Sequence, residues 1–238
     1  QKEKEKAKSM ENQKGKIDFA KWTDLSDTQK MCINHKEGPL MVIAGPGTGK
    51  TKVLVERIAM LVRNGIDDAN ILAITFSNHA VNEIKTRLSQ KILNFNINVS
   101  TFHKLGLDII KNNIEPTKRT KDFYIIDEEE KTKLLKGKTD EEYQKKLIEM
   151  NAFDFDGLVN EAVKILENPE ISEKYKKRFK YILVDEFQDI NLAQYQMVTY
   201  LLPKTNPNLF VIGDPNQAIY GFRGADVGLI KKLKTDYP

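Results

Sequence analysis

A chain of 238 residues, 40% apolar and 30% charged, has room for one large domain or two small ones, and for a core that needs no disulfide or structural metal. The lone Cys32 excludes an intramolecular disulfide, and no Cys/His set has zinc-ligand spacing. Apolar runs are too short to span a bilayer and no secretory h-region is seen, which argues against a membrane protein or a small secreted scaffold; the expectation is a reducing, cytoplasmic setting.

The net charge of +4 is unevenly spread. Residues 1–21 hold seven Lys against Glu3, Glu5, Glu11 and Asp18, which leaves 31 basic and 30 acidic residues in the rest. The basic balance therefore belongs to residues 1–22, a Lys/Glu tail whose composition predicts disorder. Beyond it, residues 40–44 are a continuous apolar run ending at a Gly-rich turn. Residues 50–64 place Leu54, Ile58, Leu61 and Val62 on one helical face. Residues 71–75 read as a second buried strand, followed by Val81, Ile84, Leu88 and Ile92 at helical spacing. Residues 111–149 break the rhythm, being rich in Lys and Glu. There Asp127, with Glu130 three residues on, marks a helix start before Leu134 and Leu135, and Gly137 separates two helical patterns. Residues 181–184 and 209–212 are further strands, separated by a helix carrying Ala193, Met197, Val198 and Leu201. Continuous apolar strands alternating with amphipathic helices predict an α/β fold: a parallel sheet covered on both faces, with a short, mostly helical insertion at 111–149.

The strongest local signal is Ala44, Gly45, Pro46, Gly47, Thr48, Gly49, Lys50 and Thr51, placed between a strand and a helix. Glycines let the backbone curl so that its N–H groups face phosphate oxygens, and the new helix adds its positive end. Lys50 is then placed for the β- and γ-phosphates and Thr51 for Mg²⁺. An ordinary Gly-rich turn is the plain alternative. The apolar run 181–184 ends in Asp185 and Glu186, at the strand end where open α/β sheets bind ligands. Asp185 suits the Mg²⁺ shell, and Glu186 suits activation of an attacking water.

The string Leu183-Val184-Asp185-Glu186-Phe187-Gln188-Asp189, together with residues 213–226, resembles the UvrD/Rep family of superfamily 1 DNA helicases. Thr75-Phe76-Ser77-Asn78-His79-Ala80, Thr101-Phe102-His103 and Leu25-Ser26-Asp27-Thr28-Gln29 resemble three further motifs of that family, all in its order. The resemblance covers residues 23–110 and 150–238. It implies a RecA-like first lobe interrupted by a shortened accessory insertion, with a second RecA-like lobe beyond Pro238. It also implies roles. Gln29 contacts adenine; Ala44, Gly45, Pro46, Gly47, Thr48, Gly49, Lys50 and Thr51 hold the triphosphate of ATP; Lys52 stands where the family usually has an Arg near the base. Thr51 and Asp185 serve Mg²⁺, Glu186 is the catalytic base, and Gln217 senses the γ-phosphate alongside Lys50. Phe76, Tyr220 and Phe222 flank single-stranded bases, while Asn78, His103 and Arg223 lie along the DNA path.

Plainer readings stand beside these. Ser26 and Gln29 fit a helix capping box, Phe76, Tyr220 and Phe222 fit core aromatics, and His103 fits a helix start after Thr101. Residues 128–146 fit a solvated helical face. The function the resemblance implies is the ATP-hydrolysing lobe of a 3′-to-5′ single-stranded-DNA translocase or helicase of DNA repair or replication restart. Its partners would be single strands and duplex junctions, in a nucleoid-associated protein without membrane contact. A helicase–nuclease subunit and a non-enzymatic DNA-binding module with an inert pocket are the alternatives.

Overall fold

Residues 71–75 and 181–184 form strands buried along their whole length, because helices cover the sheet on both sides. The structure, a computed structural model, describes residues 24–217, 226 and 228–237. The tail 1–22 and residues 218–225, which include Tyr220, Phe222 and Arg223, lie outside the described residues. The sheet has five strands, all parallel, in the order β1 (Leu40–Ile43), β7 (Asn208–Gly213), β6 (Tyr181–Val184), β2 (Ile71–Thr75) and β3 (Asn98–Thr101). All strand carboxyl ends therefore share one rim.

Alternate strand residues feed two cores. Leu72, Ile74, Ile182, Val184, Leu209 and Val211 face α4 (Phe102–Asn112), α7 (Phe155–Leu166), α9 (Leu192–Leu201) and α10 (Gly228–Asp236). Ile71, Ala73, Leu183, Phe210 and Ile212 face α1 (Asp27–Asn34), α2 (Lys50–Arg63) and α3 (Asn78–Ser89). A fully buried aliphatic side chain contributes about 1.5–3 kcal/mol, so a two-faced sheet is held mainly by these layers. Helix α8 (Pro169–Arg178) leads into β6.

Helix starts follow side-chain chemistry. Ser77, Thr101, Asp154 and Asn191 each accept a backbone N–H in the first turn of α3, α4, α7 and α9. Ser26 and Gln29 do form the capping box of α1. Helix α3 stops at Ser89, short of Ile92, which packs on the same core from the following turn.

The region 111–149 begins inside α4 and carries two helices, α5 (Glu128–Leu135), capped by Asp127, and α6 (Asp140–Glu149). Gly137, at φ +73°, lies in the turn between them. A short parallel pair, β4 (Tyr124–Ile125) and β5 (Ala152–Phe153), closes this region. Ile126, Tyr143, Leu147 and Ala152 form a small core of its own. Among the described residues no helix is long and apolar enough to cross a membrane.

Candidate nucleotide site and adjoining groove

The ladder between β1 and β7 continues through Ala44 N to Gly213 O at 3.0 Å, and residues 44–49 then curl into α2. Gly47 and Gly49 sit at φ +72° and +85°, a left-handed backbone that strains any other residue, and the Thr48 hydroxyl closes the loop on Gly45 O at 2.7 Å. Gly49 offers no side chain to cap α2. The first N–H groups of that helix are thus left to an anion, and its dipole favours one.

Five groups from three loops on the carboxyl rim close into a ring. Lys50 Nζ lies 3.2 Å from Glu186 Oε2 and donates to Gln217 Oε1 at 3.3 Å. Gln217 Nε2 donates to Asp214 Oδ2 at 2.7 Å, the Asp214 N–H donates to Gln188 Oε1 at 2.9 Å, and Gln188 Nε2 returns to Glu186 Oε2 at 2.9 Å. The same Gln188 nitrogen also donates to Asp189 Oδ2 at 3.1 Å. A Cβ at Gly213 would stand 2.4 Å from Gln188 Oε1, so a glycine is needed for the amide to fit. Glu186 adopts φ +49°, ψ +47°, a left-handed backbone that turns the chain sharply out of β6. Gln188 and Asp214 lie inside the family-like motifs, yet no local pattern singles out a role for either.

Asp185 is 4% exposed, and burial, then the neighbouring Glu186, push its carboxyl up to about 7. One register position beyond the Ile74–Val184 pair, it neighbours Thr75, whose fully buried hydroxyl has no hydrogen-bond partner. A buried acid with a raised pKa beside an orphaned hydroxyl fits a site that a cation completes; Thr51 lies in the first turn of α2.

Gln29 joins the loop as well as capping α1: its Nε2 donates to Thr48 O at 2.8 Å. The plain and the functional readings of this side chain are therefore compatible. The far end of α1 is held by Arg57 of α2, which the helical pattern alone does not single out. Its Nη1 donates to the carbonyls of Cys32 and Ile33 at 3.2 Å and His35 at 2.7 Å, while the guanidinium lies over the Phe210 ring. Burial lowers its pKa to about 10. Lys52 pairs with Asp24.

On the other core face, beside the same rim, lies a groove of about 940 Å³. Phe76 and His103 both line it, as does Phe155, which no sequence motif marks. The His103 and Phe155 rings stack, centroids 3.8 Å apart and planes 22° from parallel. This close approach depends on Gly106, where a Cβ would lie 2.8 Å from the Leu158 carbonyl across the α4–α7 crossing. Burial lowers the His103 pKa, with Asp156 opposing. Asp127, Glu128, Asp156 and Asp189 also border the groove. Asn78 is exposed at the start of α3. Tyr220, Phe222 and Arg223 lie outside the described residues.

Comparison with known proteins agrees with this arrangement. Residues 25–141 and 136–238 match the UvrD/REP helicase N-terminal domain. The chain is 33% identical over 268 residues to the DNA helicase II of Rickettsia typhi, and over 266 residues to the ATP-dependent DNA helicase PcrA of Bacillus subtilis. It is also 33% identical, over 265 residues, to the ATP-dependent DNA helicase Rep of Buchnera aphidicola. Each alignment covers 90% of this chain but only 36–40% of the relative. With a parallel α/β sheet, a phosphate-type loop and the motifs on one rim, the chain belongs to the UvrD/REP helicase family, of which it carries the N-terminal domain.

Proposed function

We propose that this chain is the ATP-binding and ATP-hydrolysing lobe of a DNA helicase that tracks along single-stranded DNA. The observation that carries this reading is the ring of Lys50, Glu186, Gln188, Asp214 and Gln217 at the foot of the loop. An inert pocket has no use for two acids, a cation and two amides locked in mutual register. In this reading residues 44–50 cradle the phosphates and Lys50 exchanges Glu186 for a phosphate oxygen. Glu186, still oriented by Gln188, takes a proton from the attacking water, and Gln217 reports on the terminal phosphate. Thr51 and Asp185 would hold Mg²⁺, which neutralises phosphate charge when bound. Gln29 would read the base.

The groove at Phe76, His103 and Phe155 is the proposed DNA path. Its described rim carries carboxylates, so bases and not phosphates would face this floor, stacked on the rings. Binding should be nearly indifferent to sequence and shallow in salt dependence. Residues 111–149 are read as the accessory insertion, and a second RecA-like lobe would supply the opposite wall and its arginines, typically worth about 10³–10⁵ in rate. The 3′-to-5′ direction, the repair or restart role and a nucleoid-associated cytoplasmic location follow from the family resemblance. The test uses the protein extended through the second lobe. Glu186→Gln should keep ATP binding and abolish DNA-stimulated turnover; substantial turnover by that variant would remove Glu186 from its role.

A further inference from the structure

Phe155 lies between two aspartates, and both are gripped by the insertion. Lys131 of α5 places its Nζ 2.6 Å from Asp156 Oδ2 and 3.6 Å from Asp154 Oδ2. The Tyr143 hydroxyl of α6 donates to the same Asp154 oxygen at 2.8 Å. The other Asp154 oxygen accepts the Gly157 N–H at 2.7 Å, which caps α7. Tyr143 and Asp154 are buried, and the Lys131 side chain is 19% exposed. Asp154 thus joins the first turn of α7, which it caps, to both helices of the insertion.

Phe155 itself is 50% exposed, and stacking on His103 alone holds a ring so open only weakly. Without Lys131 the carboxylates of Asp154, Asp156 and Glu128 would lose the ammonium they share, with Arg119 still acting on Asp154 alone of the three. Repulsion would then open the short stretch that aims the ring. We propose that Lys131, assisted by Tyr143, is a positioning residue for the groove: it clips the two aspartates beside Phe155 and so holds that ring flat on His103. The insertion thereby sets the shape of the stacking floor without touching what lies on it. The proposal rests on the reading of this groove as a single-strand path.

The test separates this role from general stabilisation. In the 238-residue chain, the His103 ring protons should be shifted upfield by the stacked Phe155 ring, and Phe155→Leu defines the unstacked position. Lys131→Met should carry these resonances at least halfway to that position and weaken binding of a fluorescent oligo-dT about tenfold. Lys131→Arg should preserve both. Tyr143→Phe, which removes one hydrogen bond, should give a smaller shift of the same sign and serves if Lys131→Met does not fold. His103 resonances at their wild-type positions in folded Lys131→Met, or in Tyr143→Phe if that is the variant that folds, would overturn the proposal, whatever happens to the melting temperature. If Phe155→Leu binds oligo-dT as tightly as wild type, the groove reading fails instead.

Discussion

Lys50 and Glu186 meet at 3.2 Å, so the cation of the phosphate loop has an anionic acceptor inside the protein with which any phosphate must compete. The side chain of Lys50 is 9% exposed and that of Glu186 is 35% exposed, which leaves the acid the more accessible partner. Lys50→Ala removes the charge facing the phosphates and leaves Glu186 with the Gln188 amide. A hydrogen bond to a charged group is worth about 1.5–3 kcal/mol, so ATP affinity should fall at least about tenfold. Calorimetry on both proteins measures this; equal affinities would sink the pocket assignment.

Gln188 shares one amide nitrogen between Glu186 and Asp189, and Asp189 borders the groove. Gln188→Leu keeps the bulk but deletes both donors and leaves the Asp214 N–H without its acceptor. Turnover in the two-lobe protein should drop while ATP affinity changes little, and stability should fall by about 1–3 kcal/mol. Steady-state kinetics with and without single strands reads the first effect, and denaturant unfolding the second.

Arg57 closes the open end of α1 with three carbonyl contacts. Arg57→Met should cost about 1–3 kcal/mol in urea unfolding, because those carbonyls lose their buried donor. It should also loosen the helix that carries Gln29. KM for ATP should rise while kcat stays close to wild type. An unchanged KM would confine Arg57 to a packing role.

His103 has a pKa held below its ordinary 6.5 by burial under Phe155. On acidification the unfolded chain takes up this proton first. The stability contributed by neutral His103 is therefore present above about pH 6.5 and lost as pH falls through the lower folded-state value. Urea unfolding between pH 8 and 5 should show a steeper decline for wild type than for His103→Gln. Matching slopes would mean that His103 titrates normally in the folded protein.

The strands of the sheet interior were readable because they are apolar on both faces: β2, β6 and β7 need no alternation when helices lie above and below. β3 was not, since Asn98-Val99-Ser100-Thr101 is an edge strand whose hydroxyls are buried by the helices beyond it, a fact of packing and not of pattern. Lys50, Asp185 and Glu186 announced themselves through loop chemistry at a strand end. The ring that joins Lys50 and Glu186 through Gln188, Asp214 and Gln217 did not, because it forms only when three loops arrive on one rim. Arg57 looks like the solvated face of an amphipathic helix until α1 is laid against it. Phe155 is one aromatic among many in the sequence; its contact with His103 depends on the approach permitted by Gly106, a tertiary relationship that local periodicity does not carry.

Among the described residues β1 has a single neighbour in the sheet, and that neighbour is β7; the Gly38 N–H and the Asn208 side chain meet across 170 positions of chain. Synthesis runs from the amino end, so the strand that feeds the phosphate loop leaves the ribosome before β7 and lacks this partner until residues 208–213 follow it. Non-local closure of this kind is slow, and the waiting edge of β1 is an open template for the wrong strand. The segment that grips phosphate is thus made well before the strand it docks on, and the nucleotide pocket can close only after residues 208–213 have been synthesised.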